Sequence, residues 1–386
     1  MLKRLAGSFF RNAPPTCNWG RTGRGNGQRR ALISYVAWPL VAESLLPRFM
    51  HRWSNKGSST ELVRCLNDCG YTVDFIDWRN DWWAPQREYD LFLGHGGVNF
   101  ERISRHLGTA VPKVYYSTGS YWRYHTRRAD ERARSLAKRT GISLKPDRPL
   151  PASEEWGVRN SLGIIALGDD RIKETFGPEF NIYPVDNLVS ASAEPWQLQA
   201  KEYDSGRKHF LFYAGAGNLH KGLDLLLEAF RSTKLHLHIC QRLSKEFRHA
   251  FSALLFGERN IHYHGHLVRS GERMRALMNE CNWILGASCS EGACRSVIEC
   301  QAHGLIPLVT NDCTVRTGDW GLALPEDPSG IRATVTAAAG FDVAECRERS
   351  ANSLRAVQRY YSRECYRKKV TEALLAILGV RNEKLA

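Results

Sequence analysis

Short apolar runs alternate with amphipathic segments along most of this chain, a pattern typical of parallel sheets covered by helices. In the first half, the apolar runs predict strands at residues 31–40, 71–78, 90–97, 111–119 and 181–185, with a βα unit at 163–176. In the second half, they predict strands at residues 210–214, 235–240, 261–264, 283–287 and 306–310, followed by a helical pattern over 330–378.

Polar residues 188–207 separate the two halves and predict a linker. We therefore expect an α/β protein with two doubly wound, Rossmann-like domains, at residues 31–187 and 208–350, followed by C-terminal helices at 351–386. Ligands of such sheets bind at the carboxyl ends of the strands. We expect five small or polar residues of the first domain to fall at such ends: Gly57, Ser58, His95, Ser117 and Thr118.

The formal net charge of +14 is concentrated in two segments. Residues 1–30 carry seven Lys or Arg and no acid, and this composition predicts a disordered basic tail. Residues 121–148 are also strongly basic, which indicates either a solvated helix or a surface that docks on an anionic membrane or acceptor. A nucleic-acid protein is disfavoured, because no RRM, KH or helix-turn-helix signature is present.

No apolar run approaches the roughly 18 residues of a membrane span, and residues 1–30 lack the apolar core of a secretory signal. We expect a cytoplasmic protein, soluble or peripheral at the inner face of the membrane. The eleven cysteines form no CxxC and fit reduced thiols. Alternating histidines could mimic a metal site, but we predict no metal there: His236, His238, His262, His264 and His266.

The most informative stretch is LGASCSEGACRSVIECQAHG, residues 285–304. A helix starting near Gly292 would leave the N–H groups of Gly292, Ala293 and Cys294 free to bind a phosphate. Glu291 would lie at the edge of that site and Glu299 about two turns along the helix, where both could accept hydrogen bonds from hydroxyls. The alternative is an ordinary helix with two surface glutamates.

A second motif is HFLFYAGAGNLHKGLDLLLEAF, residues 209–230. An apolar strand leads through Gly215 and Gly217 to Lys221, and an apolar-faced helix follows. A strand, a glycine turn and a helix start form a phosphate cradle, to which Lys221 adds a charge. The motif is neither a P-loop nor a dinucleotide fingerprint. The alternative is a buried βα unit with an incidental lysine.

Both motifs resemble elements of the retaining GT-B glycosyltransferases of family 4, the group 1 glycosyl transferases. Glu291 and Glu299 resemble that family's E-x7-E element, and GAGNLHKG resembles its G…KG loop. Between and after them, MRALMNECNWILGAS and ECQAHGLIPLVTND are similar to the family's neighbouring segments. The resemblance is specific over residues 205–325 and weaker over 31–190, where YYSTGSYWRYHTRR and IIALGDDRIKETF carry it.

The resemblance implies a GT-B fold, in which two domains face a cleft and the last helices cross back to the first domain. It implies a metal-independent glycosyltransferase that needs no cofactor and moves a sugar from a nucleoside-diphosphate sugar to a saccharide or lipid-linked acceptor, with surface polysaccharide assembly as the expected pathway. The catalytic residues would be His95, Lys221 and Glu291, with His125 as the second choice for the histidine. Donor-binding residues would be Gly57, Ser58, Gly215, Gly217, Lys221, Gly292, Ala293, Cys294, Arg295, Glu299, His266 and Leu267.

One position departs from the family. Ala216 stands where members usually carry an arginine that contacts the donor diphosphate, and Arg295 is the candidate replacement. Ala216 keeps open the alternative of a catalytically lapsed sugar-nucleotide binder or assembly partner. Another GT-B activity, an epimerase or a phosphorylase, is the remaining enzyme alternative.

Overall fold

We analysed a computed structural model of the chain, which describes residues 15–19, 29–37, 40, 56–150, 154–189, 201–269 and 271–379. Two sheets of mainly parallel strands, each covered by helices, form two doubly wound α/β domains. The fold class expected from the alternation of apolar runs is therefore confirmed.

The first sheet has seven strands in the order β1-β3-β2-β4-β5-β6-β7. Apart from β1, which pairs antiparallel with β3, its strands are parallel. The strands are β1 Thr16–Trp19, β2 Arg30–Tyr35, β3 Thr72–Asp77, β4 Leu91–Gly94, β5 Lys113–Ser117, β6 Gly163–Leu167 and β7 Ile182–Val185. Its helices are α1 Lys56–Asp68, α2 Gly97–Leu107, α3 Trp122–Thr140 and α4 Glu154–Arg159, with a 3-10 turn at Asp170–Thr175.

The second sheet has six parallel strands in the order β10-β9-β8-β11-β12-β13. Its strands are β8 His209–Tyr213, β9 His236–Cys240, β10 Ile261–Tyr263, β11 Trp283–Gly286, β12 Ile306–Val309 and β13 Leu322–Ala323. Its helices are α5 Tyr203–Gly206, α6 Leu223–Phe230, α7 Lys245–Ala250, α8 Ser252–Gly257, α9 Glu272–Glu280, α10 Arg295–Gln301 and α11 Pro328–Ala339, with a 3-10 turn at Asn311–Cys313. Two long helices follow, α12 Val343–Tyr360 and α13 Arg363–Ile377.

Helix α3 belongs to the first domain by sequence but packs on the second. Its buried Leu136 joins the apolar core formed around β8 and α6. Its arginines form ion pairs with acids of the second domain: Arg128 with Asp312 at 2.7 Å and with Glu326, Arg132 with Glu326 at 3.2 Å, and Arg139 with Asp224 at 2.7 Å and with Glu228. Much of the charge that suggested a membrane-docking surface therefore holds the two domains together.

The two C-terminal helices pack on different domains, and the crossing to the first domain lies further along the chain than residue 351. Helix α12 packs on α10 and β12 of the second domain, and Ser353 Oγ donates to the Leu305 carbonyl at 2.8 Å. Helix α13 packs on α1 of the first domain, and the hydroxyls of Tyr366 and Tyr116 lie 2.7 Å apart. The predicted boundary at residue 350 falls inside α12, because a continuous helical pattern does not reveal which domain a helix packs against.

Two further expectations need correction. The predicted disordered tail contains β1, Thr16–Trp19, which extends the first sheet; residues 1–14 and 20–28 lie outside the described residues. The described parts of the predicted linker 188–207 pack against the domains. Leu188 is buried in the apolar core of the first domain, and Tyr203 is buried in that of the second. Residues 190–200 lie outside the described residues.

None of the helices in the described part of the chain has the length and apolar character to cross a bilayer. Of the eleven cysteines, ten that lie in the described part of the chain, from Cys65 to Cys365, are free thiols.

Candidate functional site

The two sequence motifs meet at the topological switch point of the second sheet. Strands β8 and β11 are neighbours in the sheet. From β8 the chain crosses to β9 on one side, and from β11 it crosses to β12 on the other side. Their carboxyl ends at Tyr213 and Gly286 open into the segments that contain Lys221 and Glu291. Doubly wound sheets bind ligands at this point, because the two outgoing loops diverge and leave a crevice.

Glu291 is the centre of the site. Its carboxylate forms an ion pair with Lys221 Nζ and lies 2.8 Å from an Arg148 guanidinium nitrogen and 3.0 Å from His220 Nε2. Burial of the carboxyl would raise its pKa, but the charges of Lys221 and Arg148 outweigh burial and hold the pKa of Glu291 well below its usual range. Glu291 is therefore an anion surrounded by two cations and an imidazole.

The turn that carries Lys221 is fixed from two sides. The Asp147 carboxylate of the first domain accepts from the Leu219 N–H at 2.9 Å and the His220 N–H at 3.1 Å. On the other side, Gln241 Nε2 donates to the Gly215 carbonyl at 2.7 Å. These contacts hold the turn in place, so that the Lys221 side chain is 9% exposed and directed at Glu291.

The start of helix α10 differs from the sequence expectation. The helix begins at Arg295 rather than near Gly292, because Ala293 takes a left-handed conformation with φ of 45°. The Ala293 N–H donates to Thr314 Oγ1 at 2.6 Å and the Cys294 N–H to the Cys313 carbonyl at 3.0 Å. In this arrangement the amides of Ala293 and Cys294 are satisfied within the protein, which contradicts the expectation that they are free to bind a phosphate.

Gly292 lies where the two domains touch. A side-chain carbon at this position would come within 2.7 Å of the Thr118 and Leu167 carbonyl oxygens, both in the first domain. Ser120 Oγ donates to the Glu291 carbonyl at 3.0 Å across the same contact. Next to Glu291, the buried Ser290 hydroxyl has no hydrogen-bond partner among the described residues.

Arg295 and Glu299 pair one helical turn apart, with Arg295 Nε 3.3 Å from Glu299 Oε1. Arg295 also faces the first domain: burial raises the pKa of Tyr35 to about 12, and the charge of Arg295 opposes the rise. The charge of Glu299 has the opposite effect on Tyr213 at the end of β8, where it adds to burial in raising the tyrosine pKa. The two side chains therefore extend the Glu291 site along the junction between the domains.

His95 follows β4 at the switch point of the first sheet, between β2 and β4. Its Nδ1 lies 3.0 Å from the Tyr116 carbonyl, and its ring packs edge-on against Tyr35 at 5.6 Å between centroids. Burial lowers the pKa of His95, so the imidazole is neutral near pH 7. The charge of Arg295 acts on Tyr35, and Tyr35 contacts the His95 ring, so His95 lies at the same junction between the domains.

His125 lies in α3 and contacts the segment that carries Arg148. Its Nε2 is 2.6 Å from the Arg148 carbonyl, and its ring lies against His220 at 4.7 Å. Burial lowers the pKa of His125 to about 4. The residue therefore supports the segment that presents Arg148 to Glu291.

The remaining predicted residues are distributed unevenly. Gly57 and Ser58 are buried in the first turn of α1 rather than in an open loop, and a side chain at Gly57 would collide with Leu188. Gly215 is exposed at the top of the lysine turn. Gly217 has a left-handed φ of 91° and lies beneath Arg148. After β10, His266 is exposed, and Leu267 packs against the apolar core that includes Cys294.

Sequence reasoning missed Arg148, Asp147 and His220. The first two lie in a polar, proline-containing segment that has no motif, and their partners are 72 to 143 residues away in the chain. The basic character of residues 121–148 was the available signal, and it was interpreted as an outward-facing surface.

Comparison with known proteins supports the assignment of the fold. Residues 196–317 match the family model described as glycosyl transferases group 1. A search of curated protein sequences gives no match.

Several solved structures share the fold at low sequence identity. A sucrose-phosphate synthase from Thermosynechococcus elongatus is 13% identical with a TM-score of 0.63, and the alignment covers 91% of this chain and 99% of that one. Anabaena HepE in complex with UDP and glucose is 12% identical with a TM-score of 0.52, over 90% of this chain and 100% of that one.

TarM is 15% identical with a TM-score of 0.52, over 74% of this chain. The alignment covers 54% of TarM, so this chain spans about half the length of that protein. Together with the two sheets, these likenesses show that the chain has the GT-B fold, with a group 1 glycosyl transferase match in its second half.

Proposed function

We propose that this chain is a retaining glycosyltransferase that moves a sugar from a nucleoside-diphosphate sugar to a saccharide or lipid-linked acceptor, in the assembly of a surface polysaccharide or glycolipid. One observation carries the proposal: Lys221, Arg148 and His220 converge on Glu291 at the switch point of the second sheet. The group 1 glycosyl transferase match covers Lys221 and Glu291.

The cluster suits a ligand with both a diphosphate and a sugar. When a donor binds, Lys221 and Arg148 turn from the carboxylate to the diphosphate and stabilise the charge that develops on it as the glycosidic bond breaks. A single pre-placed donor of this kind is typically worth about 3 kcal/mol in the transition state. Glu291 is then released to accept hydrogen bonds from the sugar hydroxyls, and Glu299 accepts from the ribose.

Arg148 is the better replacement for the arginine missing at Ala216. Both arginines are paired, Arg295 with Glu299 at 3.3 Å and Arg148 with Glu291 at 2.8 Å, but Arg148 reaches the lysine turn itself and lies beside Gly217. A cation from the first domain would bind the diphosphate only when the two domains are together. The positive charge of Lys221 and Arg148 also fits a reaction that needs no metal ion or other cofactor.

On the acceptor side, His95 is the group of the first domain proposed to contact the transferred sugar. Its depressed pKa keeps the imidazole neutral, which suits hydrogen bonding to a hydroxyl. The leaving phosphate is proposed to take the acceptor proton, consistent with retention of configuration. HepE binds UDP and glucose and TarM binds UDP, so uridine donors are the first to test.

A second candidate is a protein that binds a sugar nucleotide without turning it over. Ala216 favours it, because an alanine there removes a charge next to the diphosphate. The two candidates predict the same ligand and differ in turnover.

The test has two stages. A thermal-shift screen of UDP, GDP, ADP and their sugars should identify one base, because a ligand that binds only the folded state raises stability by RT ln(1 + [L]/Kd). Glu299→Ala should remove the shift, whereas Glu348→Ala, on α12, should keep it. Hydrolysis of the identified donor without acceptor then separates an enzyme from a binder, and NMR of the anomeric proton of a transfer product reports retention. The absence of any nucleotide shift contradicts both candidates.

A further inference from the structure

Five histidines form a continuous array across three neighbouring strands of the second sheet. His209 in β8 is in register with His236 in β9, and His238 in β9 with His262 in β10. The ring centroids of neighbouring members lie 4.5 Å apart for His209 and His236 and 4.8 Å apart for His238 and His262. His264 continues the array beyond β10, with its ring 5.4 Å from that of His238.

Two imidazole nitrogens of this array form a compact triangle with a carboxylate oxygen. His209 Nδ1 is 3.0 Å from His238 Nε2, and Glu280 Oε1 is 3.2 Å from the first nitrogen and 3.6 Å from the second. Zn²⁺ bound to nitrogen or oxygen at about 2.0–2.1 Å places tetrahedral ligands about 3.3–3.4 Å apart. The three sides of the triangle are close to that spacing.

The surroundings of the triangle resemble those of a built metal site. The His238 side chain is 5% exposed, and its other nitrogen, Nδ1, lies 3.1 Å from His264 Nε2. With His238 Nδ1–H donating to His264 Nε2, His238 Nε2 carries no proton and the ring is fixed, which is the arrangement that metal-binding histidines use. Glu280 is 40% exposed, so one corner of a tetrahedron is open to water.

We propose that His209, His238 and Glu280 bind one divalent transition-metal ion of the zinc type, with water at the fourth position. The ion joins the start of β8, the middle of β9 and the end of α9. His209 is the first residue of β8, whereas the lysine turn follows the last, so about 13 Å of strand separates the ion from the sugar site. The site is structural and is independent of the proposed glycosyl transfer.

The test is a titration of the full-length, tag-free protein, stripped of metal with a chelator, with Zn²⁺ followed by calorimetry. We expect one equivalent to bind and to raise the melting temperature, and X-ray absorption at the zinc edge should show two imidazole nitrogens. Glu280→Gln should weaken binding by about 10-fold or more, and His264→Gln, which removes the supporting hydrogen bond, by about 10-fold. Glu280 is exposed enough for the variant to fold, which circular dichroism checks.

His249→Gln, which removes an exposed histidine of α7, should bind Zn²⁺ like the wild type. Two results overturn the proposal: no saturable Zn²⁺ binding by the wild type, or equal affinities for wild type, Glu280→Gln and His209→Gln. The first result would leave the histidines as a hydrogen-bonded stack that supports the sheet. Neither result bears on nucleotide binding at Lys221, so this proposal and the proposed function can fail separately.

Discussion

At the scale of single residues, Gly222 sets the geometry of the lysine turn. Its φ of 75° is left-handed, and an added side-chain carbon would collide with the Ala287 carbonyl and lie 2.7 Å from the Arg132 guanidinium. A glycine is required both for the backbone conformation and for the close approach to the segment that leads to Glu291.

We therefore expect Gly222→Ala to lower the free energy of unfolding by about 1–3 kcal/mol, the usual cost of a strained left-handed residue with a steric conflict. Gly257→Ala, at the end of α8 with no atom within 4 Å of the added carbon, is the matched control and should change stability by less than about 0.5 kcal/mol. Urea unfolding measures both. Equal effects of the two substitutions would contradict the role given to Gly222.

Arg148 carries the second residue-scale prediction. If it contacts the donor diphosphate, Arg148→Met should weaken donor binding by about 10–100-fold, the range for a lost charge-assisted hydrogen bond of about 1.5–3 kcal/mol. Lys145→Met removes the same charge from an exposed position of the same segment and should leave affinity unchanged. An affinity for Arg148→Met within twofold of the wild type would exclude Arg148 from the site.

The sequence predicts those site residues whose positions follow from local spacing along the chain. Lys221 and Glu291 lie in the segments that follow neighbouring parallel strands, so their meeting was predictable from the alternation of elements. The pairing of the Ala293 and Cys294 amides within the protein was not predictable, because Thr314 and the Cys313 carbonyl, which satisfy them, reach the loop only through the tertiary fold. Arg148 was missed for the same reason.

At the scale of elements, helix α13 packs on the first domain and so connects the second half of the chain to it. The Tyr366 and Tyr116 hydroxyls pair at 2.7 Å in a fully buried setting, and Arg367 forms an ion pair with Asp68 at 2.6 Å. Burial raises the pKa of both tyrosines well above the usual value, so both hydroxyls are neutral.

We expect Tyr366→Phe to destabilise the protein by about 1–3 kcal/mol, because it leaves the Tyr116 hydroxyl buried without its partner. The double variant Tyr116→Phe/Tyr366→Phe should cost less than the sum of the two single variants, because no orphaned hydroxyl remains. Chemical unfolding of the four proteins gives the coupling energy. Strict additivity would show that the pair does not hold α13 in place.

Two histidines with lowered pKa values make the stability of the fold sensitive to acid. Burial lowers the pKa of His125 and His303 to about 4, below the value of about 6.5 in the unfolded chain. Between these values the unfolded state binds more protons than the folded state, so stability is present above pH 6.5 and is lost as the pH falls.

Metal-free protein should therefore lose about 1.4 kcal/mol of unfolding free energy per pH unit for each such histidine between pH 6 and pH 4.5. Urea unfolding across this range measures the slope. His303→Gln should reduce the slope, and His249→Gln, at an exposed position, should not. A stability that is flat over this range would contradict the burial of neutral imidazoles.

Among the elements, the strands were the most predictable, since an apolar run between polar segments is enough to place a buried parallel strand. Helix α3 was the least predictable. Its basic residues look solvent-facing in the sequence, but they pair with Asp224, Asp312 and Glu326. Each of these acids lies 85 to 198 residues further along the chain than the arginine it pairs with. Charge alone does not tell a surface from a domain interface.

At the scale of the whole molecule, the two domains meet through α3, the segment at Asp147 and Arg148, and the return of α13. The proposed donor site uses this arrangement, since Lys221 and Glu291 come from the second domain and Arg148 from the first. A donor bound there would be gripped from both sides, and relative motion of the domains would control its entry and release.

The most direct measurement is a calorimetric titration of the wild type and of Lys221→Met with UDP, GDP and ADP. We expect one diphosphate to bind at a single site and Lys221→Met to weaken this binding by about 10-fold or more, whereas Lys245→Met, on the exposed face of α7, should bind like the wild type. Failure of all three nucleotides to bind, or equal affinities for wild type and Lys221→Met, would contradict a diphosphate site at Lys221.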